Sequence, residues 1–205
     1  MKNEYIWKEA EKFLLKDKYI APLIKKWGSC TIKPKLHMDY FRGLVGDIIG
    51  QQLSGRVANV IESRLKAVVT GRITPQKILD LAPETLRNCG MAWSKVRAIK
   101  DLAAKTKSGE LKVKSLDRLS DEEVRKELIA VKGIGPWTAD MFLMFKLGRP
   151  DAFPIEDLGI NKVMIQLFSK SVKTIKKEDM QKISERWKPY RTIASWYLWR
   201  SLENR

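Results

Sequence analysis

The sequence predicts an all-α protein, on three observations. Apolar residues recur at helical spacing along most of the chain, glycines and prolines stand between those segments as punctuation, and alternating strand-like runs are nearly absent. With 44% hydrophobic content in 205 residues, there is enough apolar surface for one sizeable core or for two lobes, and disorder is not expected.

About nine or ten helices are expected. In chain order the candidates cover residues 4–16, 20–27, 39–52, 54–69, 75–81, 83–89, 93–107, 121–130, 136–147, 157–169, 177–187 and 189–203, some of them single turns. Several limits have visible causes. Segment 54–69 runs into Gly71, which suits a left-handed cap. The next begins at Thr74-Pro75, an N-cap with a first-turn proline, and its successor at Ala82-Pro83-Glu84, which adds a first-turn acid and ends at Gly90. Ser120 and Glu123 make a capping box, after which Val124, Leu128 and Val131 keep helical spacing up to Gly133. Pro136 fits the first position of the following helix, where no N–H is needed, and Gly148 closes it. There is no internal repeat, low-complexity segment or long linker. The one composition break, Gly148-Arg149-Pro150-Asp151, is a candidate lobe boundary.

Lysine and arginine total 40 against 24 acids, so the formal charge is +16, which implies a polyanionic partner; a merely soluble basic surface is the alternative. No apolar run approaches the roughly 20 residues of a membrane span, and the start, Met1-Lys2-Asn3-Glu4, lacks a signal-peptide apolar region. An intracellular location is expected, in cytoplasm or nucleoid, or in the nucleus of a eukaryote. Cys30 and Cys89 are too few for a disulfide framework or a four-cysteine cluster site, and the single His37 is read as structural.

The chemistry concentrates between Leu128 and Asp157. Gly133 and Gly135 free the backbone between two helical patterns, so that successive N–H groups face outward where the next helix dipole favours an anion. No strand precedes these glycines and no Lys-Ser or Lys-Thr follows them, so the dinucleotide and P-loop readings lack their required surroundings. A backbone grip on nucleic-acid phosphate remains, with a plain pair of helix caps as the alternative. Downstream, Pro154-Ile155-Glu156-Asp157 supplies a lone candidate catalytic carboxylate, Asp157; it equally suits the N-cap of the helix that follows. Glu156 ranks behind it, and Asp140 and Asp151 are read as structural.

Taken together, Gly133-Ile134-Gly135-Pro136-Trp137-Thr138-Ala139 and Asp151-Ala152-Phe153-Pro154-Ile155-Glu156-Asp157-Leu158-Gly159-Ile160 resemble the helix-hairpin-helix DNA glycosylases, and more narrowly the alkylation-repair branch, 3-methyladenine DNA glycosylase II. The match extends to Ile48-Ile49-Gly50-Gln51-Gln52-Leu53-Ser54, Leu86-Arg87-Asn88-Cys89-Gly90-Met91 and Trp187-Lys188-Pro189-Tyr190-Arg191 through Trp199, and so spans about residues 40–200. The resemblance implies an all-α, two-lobed fold with the active-site cleft between the lobes. One glycosylase module would then occupy residues 1–205, with a central lobe over about 40–148, its hairpin at 121–147, and a second lobe from about 1–39 plus 149–205.

It also implies roles. Asp157 falls at the catalytic position, and Trp137 and Trp199 match the base pocket, with Tyr190 and Trp196 as second choices and Met141 where some members carry an aromatic. Lys132, Gly133, Ile134, Gly135 and Thr138 would meet DNA phosphate. Gln51, Gln52, Leu53 and Ser54 lie where the family inserts a residue into the space left by a flipped base, Gln52 aligning best; a polar helix joint is the alternative. The backbone carbonyls of Ile129, Val131 and Ile134 match a family site for a structural Na+ or K+, and no cofactor is required. In bifunctional relatives a lysine stands two residues after the second hairpin glycine; here that residue is Trp137, which points to a hydrolase without lyase activity. The extra N-terminal sheet domain of some members has no room here.

The expected activity is excision of alkylated purines, of the 3-methyladenine and 7-methylguanine type, by a monomer acting on damaged double-stranded DNA. A glycosylase for oxidised or deaminated bases is the alternative among enzymes. A non-enzymatic helix-hairpin-helix DNA-binding protein is the rival from another class, and would leave Asp157 dispensable.

Overall fold

Residues 2–34, 39–168 and 175–203 are described by a computed structural model, in which no described residue lies in a strand. The helices are α1 (Lys2–Leu14), α2 (Ala21–Trp27), α3 (Tyr40–Gly50), α4 (Gly55–Val69), α5 (Pro75–Asp80), α6 (Pro83–Asn88), α7 (Trp93–Ser108), α8 (Asp121–Ile129), α9 (Pro136–Phe145), α10 (Leu158–Phe168), α11 (Lys177–Ser184) and α12 (Arg191–Arg200). Two 3₁₀ turns, Val113–Arg118 and Glu185–Trp187, complete them. The all-α class is therefore as expected, and each candidate segment contains a helix. The Val113–Arg118 turn was not expected. His37 and residue 169 lie outside the described residues. Among those described, no helix is long and apolar enough to cross a membrane.

The chain divides into two units, His37–Phe142 and Met1–Leu36 together with Leu143–Arg205. The second boundary falls within α9 rather than at the Gly148-Arg149-Pro150 break. Phe145 packs with the core of the second unit, stacked on Trp199 with ring centroids 6.1 Å apart, so the break lies in the loop after α9, inside that unit.

In the hairpin unit, His37–Phe142, α7 is the central helix. It packs against α3, α5 and α6 and buries Val96, Ala98, Ile99, Leu102 and Ala103. Two helix starts follow the sequence signals, with Thr74 capping α5 ahead of Pro75 and the Ser120–Glu123 capping box fully formed at α8, while Ser54 caps α4 without having been expected to. In the unit that carries Asp157, α12 takes the central place, with α1, α2 and α10 packed on it. Its Ile193, Ala194, Tyr197 and Leu198 are buried, which a central helix requires on more than one face. The N-terminal segment is tied to this core by polar bonds. Trp7 donates its indole N–H to the Ile32 carbonyl at 2.8 Å, and the Tyr197 hydroxyl donates to the Gly28 carbonyl at 2.9 Å.

Candidate active site and nucleic-acid interface

The hairpin forms because α8 cannot continue. The N–H groups of Val131 and Ile134 fold back to the carbonyls of Leu128 and Val131, both at 3.1 Å, and Gly133 takes the left-handed φ of +77°. Glycine is demanded twice at that position, since a Cβ there would stand 2.9 Å from the Cβ of Ala98. Asp101, on α7, accepts the Lys132 N–H at 2.8 Å and fixes the turn from below. Gly135 differs: a Cβ there would meet nothing within 4 Å, so folding does not ask for glycine. The N–H groups of Gly133 and Gly135 have no acceptor among the described residues. Lys132 is exposed beside them, and Trp137, at the second position of α9, is 38% exposed.

The carbonyls of Ile129, Val131 and Ile134 belong to this turn, and that of Val131 already accepts the Ile134 N–H. Neutral oxygens are the donor type an alkali cation takes, so the set fits such an ion in kind. Among the described residues, no three His, Cys, Asp or Glu side chains gather as a metal site would need.

The turn between α3 and α4 is bound to the hairpin. Gln51 donates from Nε2 to the Gly133 carbonyl at 3.0 Å and to the Thr138 hydroxyl at 3.1 Å. These two side chains, expected to face DNA, are thus engaged within the protein, and Thr138 is only 4% exposed. Ser54 is likewise occupied as a helix cap, its Oγ accepting the Val57 N–H. Gln52 and Leu53 are exposed, and Gln52 has a left-handed φ of +57°, a strained setting for a residue with a side chain.

In the other unit, Asp157 sits at the start of α10. Its Oδ1 accepts the Ile160 N–H and the Trp199 indole N–H, each at 2.9 Å. The N-cap geometry that competed with a catalytic reading is therefore present, and it orients the carboxylate rather than consuming the residue. Asn161 adds a bond from Nδ2 to the Asp157 carbonyl at 3.3 Å. Trp199, expected as a base platform, uses its N–H to hold the carboxylate and its face to stack on Phe145.

Gly159 is a site residue that sequence reasoning missed. A Cβ there would come within 3.0 Å of both Asp157 Oδ1 and Leu202 Cδ1, and 3.4 Å of Trp199 Cδ1. The only sequence signal was a glycine in the first turn of a helix, where glycine is unfavourable. Leu158, 84% exposed beside Asp157, also escaped notice.

Tyr190 and Trp196 lie on the rim of the core, edge to face with Phe13 and Tyr197 at 5.5 and 4.8 Å; Met141 is half-buried on α9. The other three acids weighed beside Asp157 have partners. Asp140 is bound by Arg125 at 2.8 Å, Asp151 by Arg191 at 2.9 Å, and Glu156 pairs with Lys177 at the surface.

A hairpin whose Gly133 and Gly135 N–H groups have no acceptor among the described residues, and a carboxylate following Phe153-Pro154 that caps a helix, define a class. The family of HhH-GPD superfamily base excision DNA repair proteins matches residues 45–189, and the chain belongs to it. Among particular relatives, it is 32% identical over 204 residues to the alkylbase DNA glycosidase-like protein mag2 of Schizosaccharomyces pombe, covering 97% of this chain and 95% of that one. Among solved structures, the DNA-3-methyladenine glycosidase of Bacillus halodurans superposes with a TM-score of 0.83 at 30% identity, covering 96% of this chain and 89% of that one. The 3-methyladenine DNA glycosylase Mag1 of Schizosaccharomyces pombe, solved in complex with abasic DNA, gives 0.78 at 33% identity, with 94% and 96% covered.

Proposed function

We propose that this protein is a monofunctional DNA glycosylase that flips alkylated purines, of the 3-methyladenine and 7-methylguanine type, out of duplex DNA and hydrolyses their N-glycosidic bond, starting base excision repair. The observation that carries the reading is the Asp157 carboxylate, held in one orientation by the Trp199 indole and the α10 backbone. The names of its relatives supply the lesion class.

The chemistry follows from charge. As the bond from C1′ to the base breaks, its electron pair leaves with the base and positive charge grows on the sugar, where a fixed carboxylate stabilises it. An alkylated purine is already cationic and departs neutral, so one carboxylate suffices where glycosidases that expel an oxygen need a second, acidic one. Water then adds at C1′ and gives up its proton to Asp157 or to solvent, leaving an abasic site.

The hairpin supplies the grip. The N–H groups of Gly133 and Gly135 would receive a phosphate, with Lys132 adding charge, and a Na+ or K+ held by the carbonyls of Ile129, Val131 and Ile134 would add more. Gln52 and Leu53, exposed at the neighbouring turn, would fill the space of the flipped base. Trp137, 38% exposed, would offer its indole to an electron-poor base. Trp137 also occupies the place where a lyase lysine would form an imine, so water is left as the nucleophile.

Methylated duplex DNA, incubated under single-turnover conditions with and without borohydride, tests this reading. Free methylated purine should appear while the strand stays intact until alkaline treatment. Borohydride trapping of one lysine as fast as base release would move the chain to the bifunctional branch, and binding with no base released would return it to a non-enzymatic role.

A further inference from the structure

The turn between α3 and α4 is held from a second side. Lys95, on α7, directs its ammonium to the carbonyls of Ile49 and Gln51, both at 2.7 Å. These carbonyls lie at the C-terminal end of α3, where a helix leaves them without partners and its dipole favours a cation. Burial beneath the turn pushes the Lys95 pKa down, the cost of placing an ammonium there. Both hydrogens of the Gln51 carboxamide go to the hairpin, at Gly133 and Thr138. Gln51 is therefore clamped through its carbonyl and its side chain at once. The next residue, Gln52, keeps its φ of +57° with an exposed side chain.

We infer that Lys95 is a positioning residue for base flipping: its ammonium and the Gln51 carboxamide set the turn against the hairpin, presenting Gln52 to the duplex at a fixed place relative to the phosphate-gripping N–H groups. A turn already in its inserted shape need not be ordered when the base leaves the stack, whereas a loose turn must be. Lys95 touches no reacting atom in this account. The inference rests on the proposed reading of Gln52 as the residue that fills the gap.

The test compares Lys95→Met, which keeps the length of the stem and removes the donors, with Lys95→Arg, which restores them. Single-turnover base release is measured on one methylated oligonucleotide as duplex and as single strand, where no stacked gap must be filled. Lys95→Met should lose about tenfold or more on the duplex and less than about threefold on the single strand, with Lys95→Arg recovering most of the duplex rate. Fluorescence of 2-aminopurine beside an abasic-site analogue in duplex DNA reads insertion without any chemistry, and its rise on binding should be smaller for Lys95→Met than for the parent. If Lys95→Met does not fold, Gln51→Leu severs the other tie and carries the same comparison. Gln52→Ala separates the two levels of the account. A duplex-selective loss in Gln52→Ala, with equal losses or none in Lys95→Met, overturns the role of Lys95 alone. No selectivity in Gln52→Ala overturns the reading of Gln52 and this inference with it.

Discussion

Asp157 receives two hydrogen bonds on one oxygen, from groups of different kinds. The Ile160 N–H comes with the helix that the residue caps, whereas the Trp199 indole arrives from a helix 42 residues downstream. The first was open to reading from Asp157 followed by Leu158-Gly159-Ile160, since the capping pattern is local. The second left no trace in the sequence, because the motif placed Trp199 in the pocket without saying which atom of it faces what. Trp199→Phe keeps the ring and loses the donor, and should lower single-turnover base release about tenfold to a hundredfold, the worth of a hydrogen bond to a charged group, with abasic-DNA affinity nearly unchanged. Gly159→Ala should be harsher. Its Cβ would press on Asp157, Leu202 and Trp199 together, and a fall in thermal stability of about 1–3 kcal/mol should accompany the loss of activity. Cys30 makes a simpler case: burial pushes its thiol up to about 12, so it stays protonated at neutral pH. A thiol-specific reagent should label it only in denaturant, and rapid labelling of the native protein would contradict the packing described.

At the scale of elements, the sequence was most legible where a helix begins. Pro75, Pro83, the Ser120–Glu123 box and Pro136 all stand where helices start, because a start is fixed by the few residues at it. Ends were less legible. Helix α3 was expected to reach residue 52, and stops at Gly50 because Gln51 takes an extended ψ of 127° and Gln52 a left-handed φ, with no glycine to announce either, after which Lys95 binds the Ile49 and Gln51 carbonyls. The Val113–Arg118 turn was missed because Val113 and Leu116, both buried, are too few to display a helical period. Gln51 and Thr138, 87 residues apart, were read as separate contacts to DNA, and only the folded chain shows them bonded to one another. The hairpin glycines permit a sharp comparison at this scale. Gly133→Ala meets both a left-handed φ and the Cβ of Ala98, and should unfold at a lower temperature by about 1–3 kcal/mol of stability. Gly135→Ala meets nothing, and should melt like the parent while binding DNA about tenfold more weakly, because its methyl group stands where a phosphate would approach. Equal melting of the two variants would undo the structural half of this account, and parental affinity in Gly135→Ala would undo the functional half.

For the whole molecule, the charge of +16 sets the terms of association. Affinity for duplex DNA should fall steeply with salt, with a log–log slope of about three or more, as phosphate contacts release counterions. A flat response would remove nucleic acid as the partner. Composition made this partner class legible, and the ordered motifs made the superfamily legible. Neither reveals which lesion is preferred, since composition and short motifs carry no information on shape. In the function proposed here, phosphate grip and bond cleavage are separate properties, and Asp157 carries only the second. Asp157→Asn, assayed for single-turnover release of methylated purine and for binding to abasic duplex, separates the two. The variant should lose base release by about a thousandfold or more and keep its affinity within about tenfold. Base release at close to the parental rate would contradict the account.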